Sequence, residues 1–185
     1  MWTLEKRSNL FILTLIGDHH EHCLGPYLIN SLLSTLSQVK SQSIYGGSVL
    51  ITVASCKFFC NDVDSHQCAA LLSLPIPTIV VVLGHAAAGE LVLALSHDYV
   101  LMRRDRSFLY MSEVDLAMTL LDYFATLMRS KIGGSATRCD VLLRGMKVKG
   151  QEAVRMGIVD SAVYDSEESV VEAAVSLGDR LAERK

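Results

Sequence analysis

The chain has 185 residues, 50% hydrophobic and 20% charged, with a formal net charge of −3. That length suits one domain, large enough to bury about two thirds of its unfolded surface. The near-neutral charge excludes the electrostatic footprint of a nucleic-acid binder. The longest apolar run, 71–88, is broken by two prolines, a glycine and a histidine, and falls short of the roughly 18 uncharged residues of a membrane span.

In chain order, residues 10–16 form a dense apolar run bounded by charge and by Gly17-Asp18, and predict a strand. Gly25-Pro26 opens a segment with Leu28, Ile29, Leu32, Leu33, Leu36 and Val39 at helical spacing. Proline suits a first helical turn because its missing N–H would be unpaired there anyway. Gly46-Gly47 breaks the chain before a second strand, 48–53, and a polar, cysteine-containing loop is expected over 55–67. Pro75 and Pro77 precede a third strand, 78–83. A turn of small residues, 84–89, leads into a short helix and a fourth strand, 99–102. Beyond Leu116 the pattern predicts helices over 116–131, 135–143, 151–156 and 166–181, with a short strand at 158–160. Alternation of strands and helices followed by a helical tail predicts a single α/β domain with a helical C-terminal layer.

The mean hydropathy of +0.33 is high for an isolated soluble domain and points to a well-filled core or to apolar surface buried between subunits. Five cysteines at irregular spacing, without a secretory cleavage pattern at the N-terminus, are expected to be reduced thiols. The C-terminal Ala182-Glu183-Arg184-Lys185 is not a Ser-Lys-Leu type of peroxisomal address.

Two loops carry the chemistry. Lys57-Phe58-Phe59-Cys60-Asn61-Asp62-Val63-Asp64 follows one buried strand, and Gly84-His85-Ala86-Ala87-Ala88-Gly89 follows another and enters a helix. A strand-to-helix turn of tiny residues exposes backbone N–H groups that hold negative charge, and two such loops together would make an oxyanion hole. Composition alone favours ordinary tight turns packed against the sheet. Ser96-His97-Asp98 is a poor triad, since adjacent residues point apart and no Gly-x-Ser-x-Gly elbow is present. His19, His20, His22 and Cys23, and likewise Cys56, Cys60, His66 and Cys68, lack the spacing of a zinc site and read as loop histidines and inert thiols. Arg103, Arg104 and Arg106 surround Asp105 in a turn that is either solvated or paired with phosphate or a neighbouring subunit. Glu113 follows the apolar run 108–111 and precedes Val114. Such a carboxyl is either a partly exposed strand-end group or one whose desolvation fits it for proton transfer near neutral pH.

Taken together, these runs resemble the crotonase (enoyl-CoA hydratase/isomerase) superfamily, most of all its plant enoyl-CoA delta-isomerases. The resemblance is carried by Lys57-Phe58-Phe59, Gly84-His85-Ala86, the long run 95–106, Leu109-Tyr110-Met111-Ser112-Glu113 and Met156-Gly157-Ile158-Val159-Asp160. It implies a spiral of ββα units with a helical C-terminal region that trimerises. It implies backbone N–H groups of Val63 and Gly89 on the thioester oxygen of an acyl-CoA, Asn61 beside the coenzyme A adenine, and Glu113 as the catalytic carboxylate. Coenzyme A then belongs to the substrate, and neither a metal nor a separate cofactor is expected. Hydratases of the family use a second glutamate where this chain has Val92, so the resemblance favours double-bond isomerisation of a 3-enoyl-CoA in fatty-acid β-oxidation over hydration. It implies a peroxisomal setting, although the missing C-terminal address leaves the cytosol open.

Four departures from the family pattern stand out. Asp62 replaces a glycine, Glu90 replaces a small residue, and a glycine- and proline-containing turn is here Ala117-Met118-Thr119-Leu120-Leu121, where a continued helix would re-aim Glu113. Between Asp64 and Ala69 the chain is expected to be short of a helical segment that would shield the acyl pocket. The alternative expectation is a shortened crotonase-fold protein with little activity, acting as an assembly partner.

Overall fold

The computed structural model describes residues 2–15, 26–43, 47–54 and 65–183. In chain order these form β1 (Trp2–Arg7), β2 (Leu10–Leu15), α1 (Pro26–Gln42), β3 (Val49–Ala54), α2 (Ser65–Leu72), β4 (Thr78–Val82), β5 (His85–Ala87) and α3 (Gly89–Leu95). There follow β6 (Tyr99–Arg103), β7 (Phe108–Tyr110), α4 (Asp122–Lys131), α5 (Ser135–Arg138, running on as a π-helical turn Cys139–Leu143), β8 (Val148–Lys149), α6 (Gly150–Arg155), β9 (Ser161–Tyr164) and α7 (Glu167–Ala182).

A six-stranded sheet has the order β1-β2-β3-β4-β6-β9, with β2 to β9 parallel and β1 antiparallel at one edge. A small second sheet, β5-β7-β8, stands beside it. The chain thus places one strand in the large sheet, the next in the small sheet, and then a helix, as in β4-β5-α3 and β6-β7-α4. This is the expected spiral of ββα units. Every residue of β3 and β4 is buried, as befits parallel strands covered on both faces.

Strand periodicity divides the core. Phe11, Leu13, Leu50, Val80 and Met102 face α1, α2 and α3 in one cluster. Their alternate neighbours Leu10, Ile12, Ile51, Val81 and Leu101 face Val170 and Ala174 of α7. Gly178 lets α7 lie close on the sheet, because a Cβ there would meet Leu10 Cδ2 at 3.0 Å and Ile51 Cδ1 at 3.2 Å. At the sheet edge, β1 is largely exposed and carries an Arg7–Glu5 ion pair of 2.7 Å.

Several boundaries differ from expectation for identifiable reasons. Of the loop expected over 55–67, residues 55–64 lie outside the described residues and α2 already begins at Ser65, because Gln67, Cys68 and Leu71 share one buried helical face. The strand expected at 158–160 lies at Ser161–Tyr164 instead. Ile158 and Val159 are buried in the preceding turn, and Asp160 joins β6 by accepting from Val100 N at 2.7 Å and donating its own N–H to Val100 O at 2.9 Å. The helix expected from residue 116 begins only at Asp122. The three-residue strands β5 and β7 and the two-residue β8 are too short for periodicity to reveal.

Candidate active site

Glu113 and Gly89 are brought together by the small sheet. β5 and β7 run parallel with Ala87 opposite Tyr110, so Gly89 and Glu113 both leave the same end of the same strand pair. The Ala88 N–H donates to Tyr110 O at 3.0 Å, which extends the pairing up to the turn. Gly89 is the first residue of α3, where a backbone N–H has no intrahelical acceptor. The residue before it, Ala88, has φ 56° and ψ −124°, a region that side-chain-bearing residues rarely occupy.

The segment that carries Glu113 is a single helical turn with a defined end. Met118 N donates to Glu113 O at 2.9 Å and Ala117 N donates to Val114 O at 3.3 Å, with Ala117 at φ 52°. These two bonds around a left-handed residue form a Schellman cap. The expected continuation of the helix through 117–121 is therefore corrected: alanine adopts the conformation that glycine takes more cheaply, and Glu113 is not re-aimed by a longer helix. Gly145, at φ 60°, braces this turn so closely that a Cβ there would lie 2.8 Å from Val114 Cγ1. Nothing in the local pattern of 139–146 signals this contact, because Gly145 and Val114 are 31 residues apart and their local sequences do not encode one another's position.

The Glu113 carboxyl is half-buried, and its Oε2 atom is shielded from solvent with no hydrogen-bond partner among the described residues. Desolvation pushes its pKa above the usual carboxylate range, opposed in part by its own backbone N–H. Immediately beyond in the chain, Leu116, Met118 and Leu121 are 67%, 60% and 61% exposed, an apolar ledge on the segment that follows Glu113. Val92 is fully buried in α3, so that position supplies no second carboxylate. Glu90 does lie in the turn, buried, with Oε2 accepting from Ala87 N at 2.9 Å.

The other residues singled out from the sequence fall elsewhere. Val63, Asn61 and Asp62 lie outside the described residues, as do His19, His20, His22, Cys23, Cys56 and Cys60. Among the described residues no three His, Cys, Asp or Glu side chains are placed to share a metal ion. Ser96, His97 and Asp98 each bond a different partner: Ser96 Oγ donates to Val92 O, His97 joins Thr52 Oγ1 at 2.9 Å and Leu93 O at 3.0 Å, and Asp98 accepts from Thr78. Burial lowers the His97 pKa to about 4, which leaves a neutral ring. A cavity of about 210 Å³ lined by His97, Lys131 and Asp160 lies at the start of β6, the opposite end of the sheet from Gly89 and Glu113. The basic turn is paired internally, Arg103 with Asp105 at 2.8 Å and Arg104 with Asp165 at 2.5 Å.

The arrangement is one half-buried carboxyl and one helix-initial N–H at one end of a strand pair, with an apolar ledge following in the chain. Comparison with known proteins points the same way. The family model described as Enoyl-CoA hydratase/isomerase matches residues 54–185. An Arabidopsis thaliana protein named Enoyl-CoA delta isomerase 2, peroxisomal, is 53% identical over 209 aligned positions, covering 100% of this chain and 86% of its own length. Enoyl-CoA delta isomerase 3 of the same plant is 52% identical with the same coverage. In fold, an enoyl-CoA hydratase/isomerase family protein from Silicibacter pomeroyi superimposes with a TM-score of 0.85 at 20% identity, covering 100% of this chain and 84% of that one. A second such protein, from Pseudomonas syringae, gives 0.87 at 19% identity with the same coverage. The matched model, the relatives and the ββα spiral lead to one conclusion: this chain belongs to the enoyl-CoA hydratase/isomerase family.

Proposed function

We propose that the protein is an enoyl-CoA delta-isomerase that converts a 3-enoyl-CoA to the 2-trans-enoyl-CoA. The observation that carries this reading is the desolvated Glu113 carboxyl, whose Oε2 has no hydrogen-bond partner among the described residues, at the same end of the β5–β7 pair as Gly89. In this reading the N–H groups of Gly89 and Val63 receive the thioester oxygen and stabilise the charge that develops on it. Glu113, ionised, takes a proton from C2; the electron pair moves into the thioester to give a dienolate. The same carboxyl returns the proton to C4, so that the double bond shifts from C3–C4 to C2–C3 with nothing added or lost. One base suffices for that shuttle, and hydration would need another group to activate water, which buried Val92 does not supply. The ledge of Leu116, Met118 and Leu121 offers the acyl chain an apolar face. Coenzyme A is part of the substrate, and no cofactor enters.

The names of the relatives support this activity and, for two of them, a peroxisomal setting. Among the described residues no helix is long and apolar enough to cross a membrane. The working form in this reading is a homotrimer, which light scattering of the purified protein tests. The activity is tested by giving purified protein a 3-enoyl-CoA and following conjugation of the double bond. Turnover that survives Glu113→Gln removes Glu113 as the base.

A second reading, a shortened family member that serves as an assembly partner, is favoured by chain length. The 209 aligned positions of the first relative exceed the 185 residues of this chain by 24. Absence of both turnover and acyl-CoA binding in the purified protein would favour it.

A further inference from the structure

We propose that Glu90 is a positioning residue, whose carboxylate clamps the turn that aims the Gly89 N–H. The proposal rests on the reading of Gly89 as an oxyanion donor. Glu90 is 3% exposed, and a buried carboxylate is retained at a cost unless strong donors meet it. Its Oε2 accepts from Ala87 N at 2.9 Å, a charge-assisted bond from the second residue of α3 back to the last residue of β5. The side chain therefore closes a ring over Ala87, Ala88 and Gly89. Inside that ring lies Ala88, at φ 56° and ψ −124°. A residue held there stays only while its surroundings over-determine it. Hydrogen bonds on both sides do so: Ala88 N donates to Tyr110 O, Ala88 O accepts from Leu91 N at 3.1 Å and Val92 N at 3.3 Å, and Ala87 N donates to Glu90.

The consequence concerns one peptide plane. Ala88 ψ and Gly89 φ together orient the Ala88–Gly89 peptide, and that peptide carries the Gly89 N–H. The carbonyl of that peptide is anchored by the Leu91 and Val92 N–H groups, so releasing the clamp frees the Ala87 side of the turn, lets the Ala88 angles shift, and tilts the N–H off the thioester oxygen. The negative charge of Glu90 near a developing enolate works the other way. Geometry and charge are separable, because glutamine keeps an oxygen acceptor and drops the charge.

The test compares Glu90→Gln and Glu90→Ala with the unaltered protein, using a 3-enoyl-CoA for turnover and a saturated acyl-CoA for the infrared stretch of the bound thioester carbonyl. Glu90→Ala is expected to lose at least about tenfold in kcat with KM within about twofold, and to return the carbonyl stretch toward its free value. Glu90→Gln is expected to keep the shifted stretch and to match or exceed the original kcat. Equal kcat and equal stretch in Glu90→Ala overturn the proposal, and so does a Glu90→Gln that falls as far as Glu90→Ala. Hydrogen exchange of the Ala87 amide reads the clamp without any activity: protected in the original and in Glu90→Gln, fast in Glu90→Ala. Uniform exchange in all three overturns the clamp, whereas a protein that exchanges as expected but never turns over overturns only the isomerase reading. If Glu90→Ala fails to fold, Glu90→Met, which fills the space without accepting a hydrogen bond, takes its place in each measurement.

Discussion

Two polar clusters sit at opposite ends of the central sheet, and they are built on opposite terms. Around His97 the named polar side chains are matched: the ring bridges Thr52 and Leu93 O, Asp98 accepts twice from Thr78, and Lys131 Nζ donates to His97 O at 2.9 Å. Around Glu113 one carboxyl oxygen has no partner among the described residues, and two alanines, Ala88 and Ala117, hold positive φ. The triad-like tripeptide is the satisfied cluster and belongs to the architecture; Glu113 keeps one oxygen without a partner among the described residues. Chemistry needs a group with an unfilled valence for hydrogen bonding, whereas a stable interior removes such groups.

The sharpest way to break this comparison is at the two acidic and basic centres themselves. Glu113→Gln is expected to lower kcat by about 10²- to 10⁴-fold, the range for removing a general base. Melting temperature should hold or rise, since an ionised carboxylate leaves a shielded place. His97→Ala should do the reverse. Leaving Thr52 without its ring partner and opening a cavity costs about 2–4 kcal/mol, read by denaturant unfolding, with turnover per folded molecule unchanged.

The pH dependences should also separate. His97 is neutral when folded, with a pKa of about 4 against 6.5 unfolded, so the unfolded chain binds the extra proton. Its contribution to stability is complete above pH 6.5 and is lost as pH falls from there toward 4, by up to about 3 kcal/mol. Glu113 works in the other sense. Its raised pKa means that turnover falls on acidification while the pH is still above the ordinary carboxylate range. His97→Gln should flatten the stability profile and leave the turnover profile in place. The smallest effect is Ala117→Gly. Glycine carries no penalty at φ 52°, so the capped turn should gain about 1 kcal/mol or less, seen as a modest rise in melting temperature.

Much of this was legible in the sequence, and the rest had definite reasons for being hidden. The buried strands stood out because β-branched runs such as 78–82 need no partner to be recognised. Glu113 and Gly89 were legible as ordered motif residues, but their meeting was not, because it depends on a three-residue parallel pairing of β5 with β7. The helical pattern over 116–121 misled, since apolar spacing there reflects an exposed ledge and a capped turn, with Ala117 in the place where glycine would have announced the break. Glu90 looked like an intrusion beside Gly89. The hydrogen bond that makes sense of it is local, and an acidic residue in a first helical turn was the available signal.

The outer strand β1 has a consequence of its own. An open sheet edge offers a row of unpaired backbone groups on which another molecule's strand can be added. Here that rim ends in Glu5, Lys6 and Arg7, all exposed, with Arg7 and Glu5 holding each other on the same side. A second strand approaching in register would have to strip water from three successive charges. Accretion along the sheet is thereby discouraged.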